Sequence, residues 1–288
     1  MLSDIVNVLA DPVDGSALSE SEDKTRLISE TGHSYDVARQ GYVTLVGGRG
    51  LKHEGDSADM IAAREAFLAG GHFAPFVEAV SAAVIDVLDD AHVPDDASPV
   101  ILEVGAGTGY YLTHTLDTIP GARGVGLDVS TAAAKPLAKA HPRLGCVVAD
   151  AWESIPLRDA SCDVISVVFA PRNPAEFARL LTPGGQVVVL TPAAGHLDEL
   201  REPLGIIGVE EGKLSRLEEQ AKGHLEIVGP PQSLEFKMNL DKAAIAAQVG
   251  MSPSARHISD LADRVAKLPE TMTVTARAHL TRLRKATT

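Results

Sequence analysis

The 288-residue sequence is poor in cysteine, in aromatic residues and in long apolar runs, and each scarcity argues against a class of protein. Cys146 and Cys162 are the only cysteines, and both lie in strand-like apolar segments, so we expect two reduced core thiols rather than a disulfide framework. No stretch approaches the roughly 18 consecutive apolar residues of a membrane span. The N-terminus MLSDIVNVLADPVDG has neither the basic start nor the apolar centre of a signal peptide. These absences predict a cytoplasmic protein with no membrane partner.

Positive charge is also scarce. The chain has 26 basic and 39 acidic residues and a net charge of −13. A general polyanion binder is therefore disfavoured, because affinity for nucleic acid depends on neutralising phosphates, and any RNA contact must be local. The terminal segment RAHLTRLRKATT has basic residues and no carboxylate, and it forms either a basic edge or the solvated face of a strand.

Composition divides the chain into three parts. Residues 1–50 are short, turn-rich segments with too little apolar material for a long helix, which predicts a small β-rich module. Residues 51–96 begin in a polar, glycine-rich linker and continue with apolar residues at helical spacing, interrupted at Gly70 and Gly71. Residues 97–288 are predicted to form a large α/β domain.

Strand and helix patterns alternate in this third part. The segments VILEVG, ARGVGLDV, LGCVVAD, DVISVVFAP and GGQVVVLTP have the pattern of buried strands, and helical segments separate most of them. Such repetition predicts a mostly parallel sheet with right-handed crossovers and helices on both faces. In a sheet of this kind the ligand lies beyond the carboxyl ends of the strands, which is where the sequence GAGTG follows the first strand.

The segment ILEVGAGTGYY places Gly105, Gly107 and Gly109 at alternate positions. Glycine-rich turns serve both dinucleotides and other ligands that contain adenosine. The dinucleotide pattern G-x-G-x-x-G seats a pyrophosphate on a helix N-terminus, but here the third glycine comes one residue early and Tyr110 takes its place. The spacing therefore favours a ligand without phosphates. Tyr110 and Tyr111 either shield such a ligand, stack on a base or pack on a helix face.

Three carboxylates lie at successive strands around this loop. Glu103 lies inside the first strand, where an amine or another cation would compensate its burial. Asp128 ends the second strand and can accept hydrogen bonds from both hydroxyls of a ribose. Asp150 ends the third strand and can accept from an adenine amine while Ala151 and Trp152 pack on the ring. Taken singly, the two aspartates fit helix caps or turns equally well. Together the acids and glycines fit S-adenosylmethionine.

The order E-x-G-x-G-x-G, Asp, Asp-Ala and L-x-P-G-G over residues 97–192 resembles the class I methyltransferases, which implies a Rossmann-like α/β fold. Further segments are HSYDVARQGYVTL, GDSADMIAAREAFLAGGHFAPF, FAPRNPAEFARLLTPGG, TPAAGHLDEL and MSPSARH. With these, nearly the whole chain resembles the bacterial 23S rRNA guanine-N1 methyltransferases, and most of all the actinobacterial branch that protects producers from tylosin-type macrolides. The resemblance implies S-adenosylmethionine as cofactor, 23S rRNA as partner and macrolide resistance as the outcome.

The N-terminal module departs from that family. The family's module binds zinc through the pattern C-P-x-C followed by C-x-x-x-H, whereas this sequence has Asp11 and Asp14 at the first pair and Ser29 and His33 at the second. Structural zinc sites prefer sulfur and nitrogen, so we expect a zinc-finger-like module that lacks its Cys ligands and binds no metal. The resemblance implies that this module binds the RNA. The departure therefore affects the prediction of the RNA target more than the prediction of methyl transfer.

The loop after the fourth strand carries the residues expected near the reacting atoms. It has neither the cysteine needed for pyrimidine C5 chemistry nor the N-P-P-Y typical of exocyclic amine methylation. By position, Phe169 and Ala170 border the methyl group and Pro171 stiffens the loop. Arg172 meets a phosphate or guanine O6, or forms a surface salt bridge. Guanine N1 carries a proton at neutral pH, so a base or a polarising contact is required, but the sequence identifies no general base.

A hairpin guanine has to be unstacked to reach such a site, which predicts a cleft between the module and the main domain. Arg39, Arg49, Lys52 and Arg64 are candidates for contacting the RNA, each with a solvated-charge alternative. Two other functions remain open: methylation of a small molecule, and a non-catalytic cofactor-binding sensor or assembly partner. A homodimer formed through the N-terminal module is also predicted.

Overall fold

The computed structural model describes residues 1–48, 50–94, 96–206, 208 and 212–287. The strands are β1 Leu18–Glu20, β2 Arg26–Ser29, β3 Ser34–Asp36, β4 Tyr42–Thr44, β5 Val100–Val104, β6 Arg123–Asp128, β7 Leu144–Val148, β8 Cys162–Val168, β9 Leu181–Pro192, β10 Leu225–Asp241 and β11 Thr271–Lys285. The α-helices are α1 Ala58–Ala69, α2 Ala74–Asp90, α3 Tyr110–Thr118, α4 Thr131–Leu137, α5 Pro174–Leu180, α6 Arg201–Leu204, α7 Lys213–Ala221, α8 Lys242–Gly250 and α9 Leu261–Ala266. Short 3-10 helices lie at Leu2–Asp4, Val6–Val8, Asp198–Leu200 and Pro253–Arg256.

The main sheet has the strand order β10-β11-β9-β8-β5-β6-β7-β4. The six strands from β4 to β9 are parallel to their neighbours, and β11 and β10 complete the sheet in antiparallel orientation. After β7 the chain returns to the far side of β5 to form β8, so the strand order reverses between β5 and β8. In doubly wound sheets this reversal opens the crevice in which ligands bind. The predicted α/β fold of the methyltransferase type is confirmed.

Two apolar cores lie on the two faces of the sheet, because successive side chains of a strand point to opposite faces. In β5, Ile101 belongs to the core that includes α2 and α3, whereas Leu102 belongs to the core that includes α5, α7 and the N-terminal 3-10 helices. All five residues of β5 are buried, as expected for a parallel strand covered on both sides. Glu103 is the one charged residue in that strand.

The N-terminal module contains an antiparallel sheet of three strands in the order β1-β2-β3. β4 follows this sheet and pairs in parallel with β7 at the edge of the main sheet. The first 3-10 helices pack on the same edge, where Ile5 is fully buried and the Arg123 guanidinium donates to the carbonyl of Asp4 over 2.8 Å. The module therefore shares one core with the main sheet, and the boundaries of the three predicted parts stay a prediction.

The predicted helical segment breaks at Gly70 and Gly71, between α1 and α2. Gly71 has a φ of +69°, a conformation that glycine adopts without the steric cost of a Cβ. No single helix within the described ranges is long and apolar enough to cross a membrane. The α1–α2 pair meets that test of length and composition only when taken together, across a bend of 87°.

Candidate active site

The glycine loop and the loop after β8 meet at the point where the strand order reverses. Gly105 has a φ of +69°, and a Cβ added to it would lie 2.6 Å from the Cβ of Ala170. The N–H groups of Gly105 and Ala106 both donate to the carbonyl of Leu127 in β6, over 2.8 and 3.0 Å. The bare backbone at Gly105 therefore allows the two loops to touch, while β6 fixes the position of the glycine loop.

Asp128 is held by two backbone donors. Its Oδ2 accepts the N–H of Gly107 and its Oδ1 accepts the N–H of Ser130, each over 2.8 Å. Burial raises the pKa of Asp128 above its ordinary value, although these two donors oppose the change. A carboxylate oxygen has more than one acceptor position, so both oxygens can still accept from ribose hydroxyls.

Glu103 lies beneath the glycine loop and is 2% exposed. Its Oε2 has no hydrogen-bond partner among the described residues, and the same holds for the buried hydroxyls of Ser166 and Tyr111. Burial raises the pKa of Glu103 to about 8, although the N–H of Leu112 favours the ionised form. Ser166 faces Glu103 across the β5–β8 pair. These orphaned groups fit a ligand that brings an ammonium group to this place.

Arg64 lies on the other side of the loop. Its Nη2 donates to Asp56 over 2.6 Å and to the carbonyl of Met251 over 3.3 Å, and a Cβ added to Gly107 would lie 3.2 Å from its Cδ. The Nε of Arg64 is buried and has no partner within the described part of the chain. The structure thus places this predicted RNA contact beside the glycine loop, where it is suited to a carboxylate.

Asp150, Ala151 and Trp152 follow β7 at the same edge of the sheet. The Asp150 carboxylate is buried and accepts the N–H of Trp152 over 3.0 Å. Its Oδ2 lies 2.7 Å from Nδ1 of His53, a linker residue that the sequence did not connect to this site. Ala151 is buried, whereas the Trp152 side chain is 51% exposed. The adenine contact stays a prediction, and each oxygen of its proposed acceptor already has one partner.

The two tyrosines after the glycines take different positions. Tyr111 is buried in the core on the α2 side of the sheet, as the helix-packing alternative predicts. Tyr110 is partly exposed, and its ring meets that of Tyr111 edge-on at 5.6 Å. Tyr110 is therefore the tyrosine whose face remains available near the glycine loop.

A cavity of about 410 Å³ adjoins the loop contact, because Ala170 lines it. Aromatic rings form part of its wall: Phe169 lies 6.2 Å from Phe73 and 5.9 Å from His196, measured between ring centroids. Phe169 is 39% exposed and has a φ of +52°, which is uncommon for a bulky residue and is found mostly at functional sites. Other lining residues are Arg64, Leu190, Thr191, Leu197, Gln248 and Met251. The cavity can receive a flat aromatic ring.

The structure brings Phe169, Ala170 and Arg172 to this cavity, whereas Pro171 is exposed beside the loop contact. Arg172 is half-buried and has no hydrogen bond or ion pair with a described residue. Burial and the charge of Arg216 lower the pKa of Arg172. The salt-bridge alternative thus finds no partner within the described ranges, and the guanidinium is placed to meet an anion at the cavity mouth.

His196 is a site residue that the motif analysis missed. Its Nδ1 accepts the N–H of Arg277 over 3.0 Å, and its ring stacks at 6.2 Å on Phe76. Burial lowers the pKa of His196 to about 4. The sequence offered only the segment TPAAGHLDEL, and nothing local in it indicates that the imidazole reaches a cavity formed by other elements.

The N-terminal module has a polar cluster of two carboxylates and one imidazole. Asp11, Asp14 and His33 place one ligand atom each within 4.8 Å of one another. The buried Asp11 carboxylate accepts from the Val13 N–H and the Tyr35 hydroxyl, each over 2.7 Å, and lies 2.8 Å from His33 Nδ1. Two carboxylates and one imidazole, already hydrogen-bonded, do not fit a structural zinc site.

The other predicted RNA contacts and the terminal basic segment have few cations that are not paired with a carboxylate. Arg39 is exposed, Lys52 pairs with Glu153, and Arg49 lies outside the described residues. β11 lies between β9 and β10, so the terminal basic segment is not an edge strand. Each of its arginines is paired with a carboxylate: Arg277 with Glu235, Arg282 with Asp90 and Arg284 with Glu226.

Comparison with known proteins shows which family the chain resembles. A profile described as "Methyltransferase domain" matches residues 101–185. The chain is 42% identical over 295 positions to a Micromonospora griseorubida protein provisionally named a 23S rRNA (guanine-N1)-methyltransferase, covering 99% of each chain. It is also 42% identical over 251 positions to the 23S rRNA (guanine(748)-N(1))-methyltransferase of Streptomyces fradiae, covering 86% of this chain and 87% of that one.

Among solved structures, a methyltransferase from Thiobacillus denitrificans in complex with S-adenosyl-L-homocysteine aligns with a TM-score of 0.43 and 16% identity, over 72% of this chain and 91% of that one. The sequence comparisons confirm the family resemblance, the enzyme class and S-adenosylmethionine as the cofactor. The orphaned polar groups around the glycine loop fit that cofactor. The chain therefore belongs to the family of S-adenosylmethionine-dependent 23S rRNA (guanine-N1)-methyltransferases.

Proposed function

We propose that this protein methylates N1 of one guanine in a hairpin of 23S rRNA. The observation that carries the proposal is the loop contact between Gly105 and Ala170, which brings the glycine loop beside an open aromatic cavity. The orphaned Glu103 carboxylate lies beneath the glycine loop, Arg64 lies beside that loop and lines the cavity, and Phe169 and Arg172 line the cavity beyond it. The relatives that match nearly the whole chain carry this activity in their names.

Each residue at the glycine loop has a proposed cofactor contact. Glu103 would hold the amine and Arg64 the carboxylate of the amino acid part, while Asp128 accepts from the ribose hydroxyls. Asp150, Ala151 and Trp152 would border the adenine, and Gly105, Gly107, Gly109 and Tyr110 would pass close to the chain that joins the two ends. The bound cofactor supplies an activated methyl group, so the protein mainly has to align the acceptor and exclude water.

The loop after β8 has proposed contacts with the RNA. Phe169 would stack on the unstacked guanine, Ala170 would border the methyl group, and Pro171 would stiffen the turn. Arg172 would bind the phosphate of the same nucleotide, because it is a half-buried cation without a described counter-ion. Base stacking together with one phosphate contact suits recognition of an exposed loop nucleotide.

The test is transfer of labelled methyl from S-adenosylmethionine to deproteinised 23S rRNA, with the modified base mapped by primer-extension stops. We expect one stop, at a single hairpin guanine. Tight cofactor binding without label in the RNA would overturn the proposal. Label in a small acceptor would then support the small-molecule alternative, and no turnover at all would support a sensor or assembly partner.

A guanine modified in this way would also support two wider roles. The activity would place the protein in the cytoplasm with the ribosome, and it would confer resistance on a macrolide-sensitive host. Growth of such a host carrying the gene, on tylosin-type macrolides, tests the second role directly. The homodimer is a separate proposal that sedimentation of the purified protein tests.

We also propose that the N-terminal module folds without metal. Hydrogen bonds to the Asp11 carboxylate take the place of zinc ligation, and the buried side chains of Leu9, Leu18 and Leu27 supply the apolar packing. Metal analysis should find less than a tenth of an equivalent of zinc, and the melting temperature should be unchanged by EDTA. A stoichiometric metal, or a fall in melting temperature with chelator, would contradict this proposal.

A further inference from the structure

His196 has a fixed tautomer in the wall of the aromatic cavity. A backbone N–H, that of Arg277, reaches its Nδ1 over 3.0 Å, so Nδ1 must be unprotonated to accept. In the neutral ring the proton is then on Nε2. The donor belongs to the backbone of β11, so the strand fixes its position.

The surroundings keep the ring neutral. Burial is the main reason that the pKa of His196 falls to about 4, and the charges of Lys213 and Arg277 lower it further, while the hydrogen bond with the Arg277 backbone and the charge of Asp198 oppose them. The rings of Phe73, Phe76 and Phe169 pack around the imidazole. At neutral pH His196 is therefore a hydrogen-bond donor through Nε2 and has no free nitrogen with which to act as a base.

The Nε2–H donor has no acceptor among the described residues, and His196 lines the cavity that Phe169, Ala170 and Arg172 also line. An N–H group in an apolar wall gains most from an acceptor that a ligand brings. The flat ring proposed to stack on Phe169 carries such an acceptor in guanine O6.

We propose that His196 donates a hydrogen bond from Nε2 to guanine O6 and so assists methylation at the adjacent N1; this inference rests on the proposed function. When N1 loses its proton, the negative charge spreads onto O6, where a preorganised donor stabilises it. N1 then supplies the electron pair of the new bond to carbon, the bond from carbon to sulfur breaks with its pair remaining on sulfur, and the N1 proton goes to solvent water.

The same contact selects the base. Adenine presents an amino group at the position of O6, so two donors would face each other and the Nε2–H would stay unpaired. Inosine keeps both O6 and the N1 proton and lacks only the 2-amino group. An inosine at the target position should therefore remain a substrate, whereas adenine should not be methylated.

The test compares the pH profiles of methyl transfer to the mapped hairpin for wild type, His196→Phe, His196→Gln and His279→Phe. Phe keeps the ring in the aromatic wall but has no donor, Gln keeps an N–H donor, and His279→Phe is a matched change outside the cavity. We expect His196→Phe to lower kcat about 100-fold at pH 7, with KM for RNA changed less than about threefold. Its rate should keep rising with pH beyond the point at which the wild-type rate levels off.

His196→Gln should recover a large part of kcat and the wild-type plateau, and His279→Phe should resemble wild type. Nitrogen NMR of the histidines in the wild-type protein gives a second readout that needs no variant. It should show Nδ1 unprotonated and Nε2 protonated from about pH 5.5 to 8.5, because the ring stays neutral over this range.

Some results would overturn this inference and leave the proposed function standing. They are an active His196→Phe enzyme with the wild-type pH profile, or an imidazole that is protonated on Nδ1 or titrates near pH 6.5. A His196→Phe variant that only raises KM would show a structural role and would also overturn it. If wild type labels no RNA guanine, the proposed function fails first, and the inference fails with it.

Discussion

The proposed cofactor side and the proposed acceptor side of the crevice are built from different chemical groups. On the cofactor side, backbone N–H groups and three carboxylates come from consecutive strands, β5, β6 and β7, and two of those carboxylates are fixed by backbone donors. On the acceptor side, aromatic rings and polar groups come from the start of α2, the loop after β8, the segment after β9 and α8, and Arg64 of α1 lies between the two sides. The cofactor side is thus rigid and local, whereas the acceptor side is assembled from distant elements.

This difference matches the demands of the two ligands. The cofactor has one structure, which a rigid backbone can fit. An RNA base has to be drawn out of its stack, so side chains that project into a cavity and have polar groups to spare are more useful. Arg172 and His196 have such groups, whereas the Asp128 carboxylate is fixed in position by two backbone N–H groups.

The largest effect is expected where the two sides touch. Gly105→Val would force a side chain into the space of Ala170, at a φ that valine does not tolerate. We expect cofactor affinity to fall more than about 100-fold and the free energy of unfolding to fall by about 2–4 kcal/mol. Calorimetric titration and urea denaturation measure both. Gly48→Val is the matched control, since Gly48 has no atom within 4 Å of an added Cβ. Unchanged cofactor affinity in Gly105→Val would mean that the two loops are not coupled.

Asp128→Ala should affect cofactor binding and leave RNA binding unchanged. The loss of the ribose contacts and of the two backbone hydrogen bonds should weaken cofactor binding by about 1–3 kcal/mol, or about 5- to 150-fold. Binding of the hairpin RNA, measured without cofactor, should not change. Asp128→Asn keeps the shape and should lose less affinity. An equal loss of RNA affinity would break the distinction between the sides.

Glu103→Gln tests the buried carboxylate. The pKa of Glu103 is raised in the folded protein, so its contribution to stability is fully present below about pH 4.5 and is lost as the pH rises through about 8. Without cofactor, the variant should therefore be more stable than wild type at pH 9, by about 1–3 kcal/mol, and the difference should vanish near pH 4.5. Cofactor affinity should instead fall about tenfold, because the amine loses its counter-charge. Urea denaturation at several pH values would contradict this if the order of stabilities were reversed.

The smallest effect is expected from Arg172→Ala, on the acceptor side only. RNA affinity should fall about fivefold, and the slope of log affinity against log salt should decrease by about one, as for the loss of one phosphate contact. Cofactor affinity should stay the same. Lys139→Ala removes an exposed cation just beyond the end of α4 and is the control. An equal salt effect in both variants would show that Arg172 has no special contact.

The sequence predicted where the glycine loop and Asp128 lie in the fold because these signals are local. Gly105, Gly107 and Asp128 lie at the ends of strands that can be recognised from their apolar runs, and the topology brings such ends together. The sequence did not show that the Asp150 carboxylate meets His53, since that contact joins residues 97 positions apart. Nor did it indicate that Arg64 lies beside Gly107.

The acceptor side was predicted only where it is local, in residues 169–172. His196 and Gln248 lie far along the chain from the glycine loop, and a single histidine or glutamine has no periodic pattern that marks its function. In the N-terminal module, the loss of the cysteines is visible in the sequence, but the hydrogen bonds from Tyr35 and Val13 to Asp11 depend on how β3 lies against the first turn. Such contacts follow from tertiary structure alone.

The parallel pairing of β4 with β7 affects the order in which parts of the protein can assemble during synthesis. Residues 42–44 leave the ribosome about 100 positions before their partners at 146–148, which at 5–20 residues per second is a wait of about 5–20 s. During that time the N-terminal segment has no edge to join, and its buried leucines have no main-sheet core to enter. Synthesis of β7 therefore comes before the N-terminal segment can dock on the main sheet.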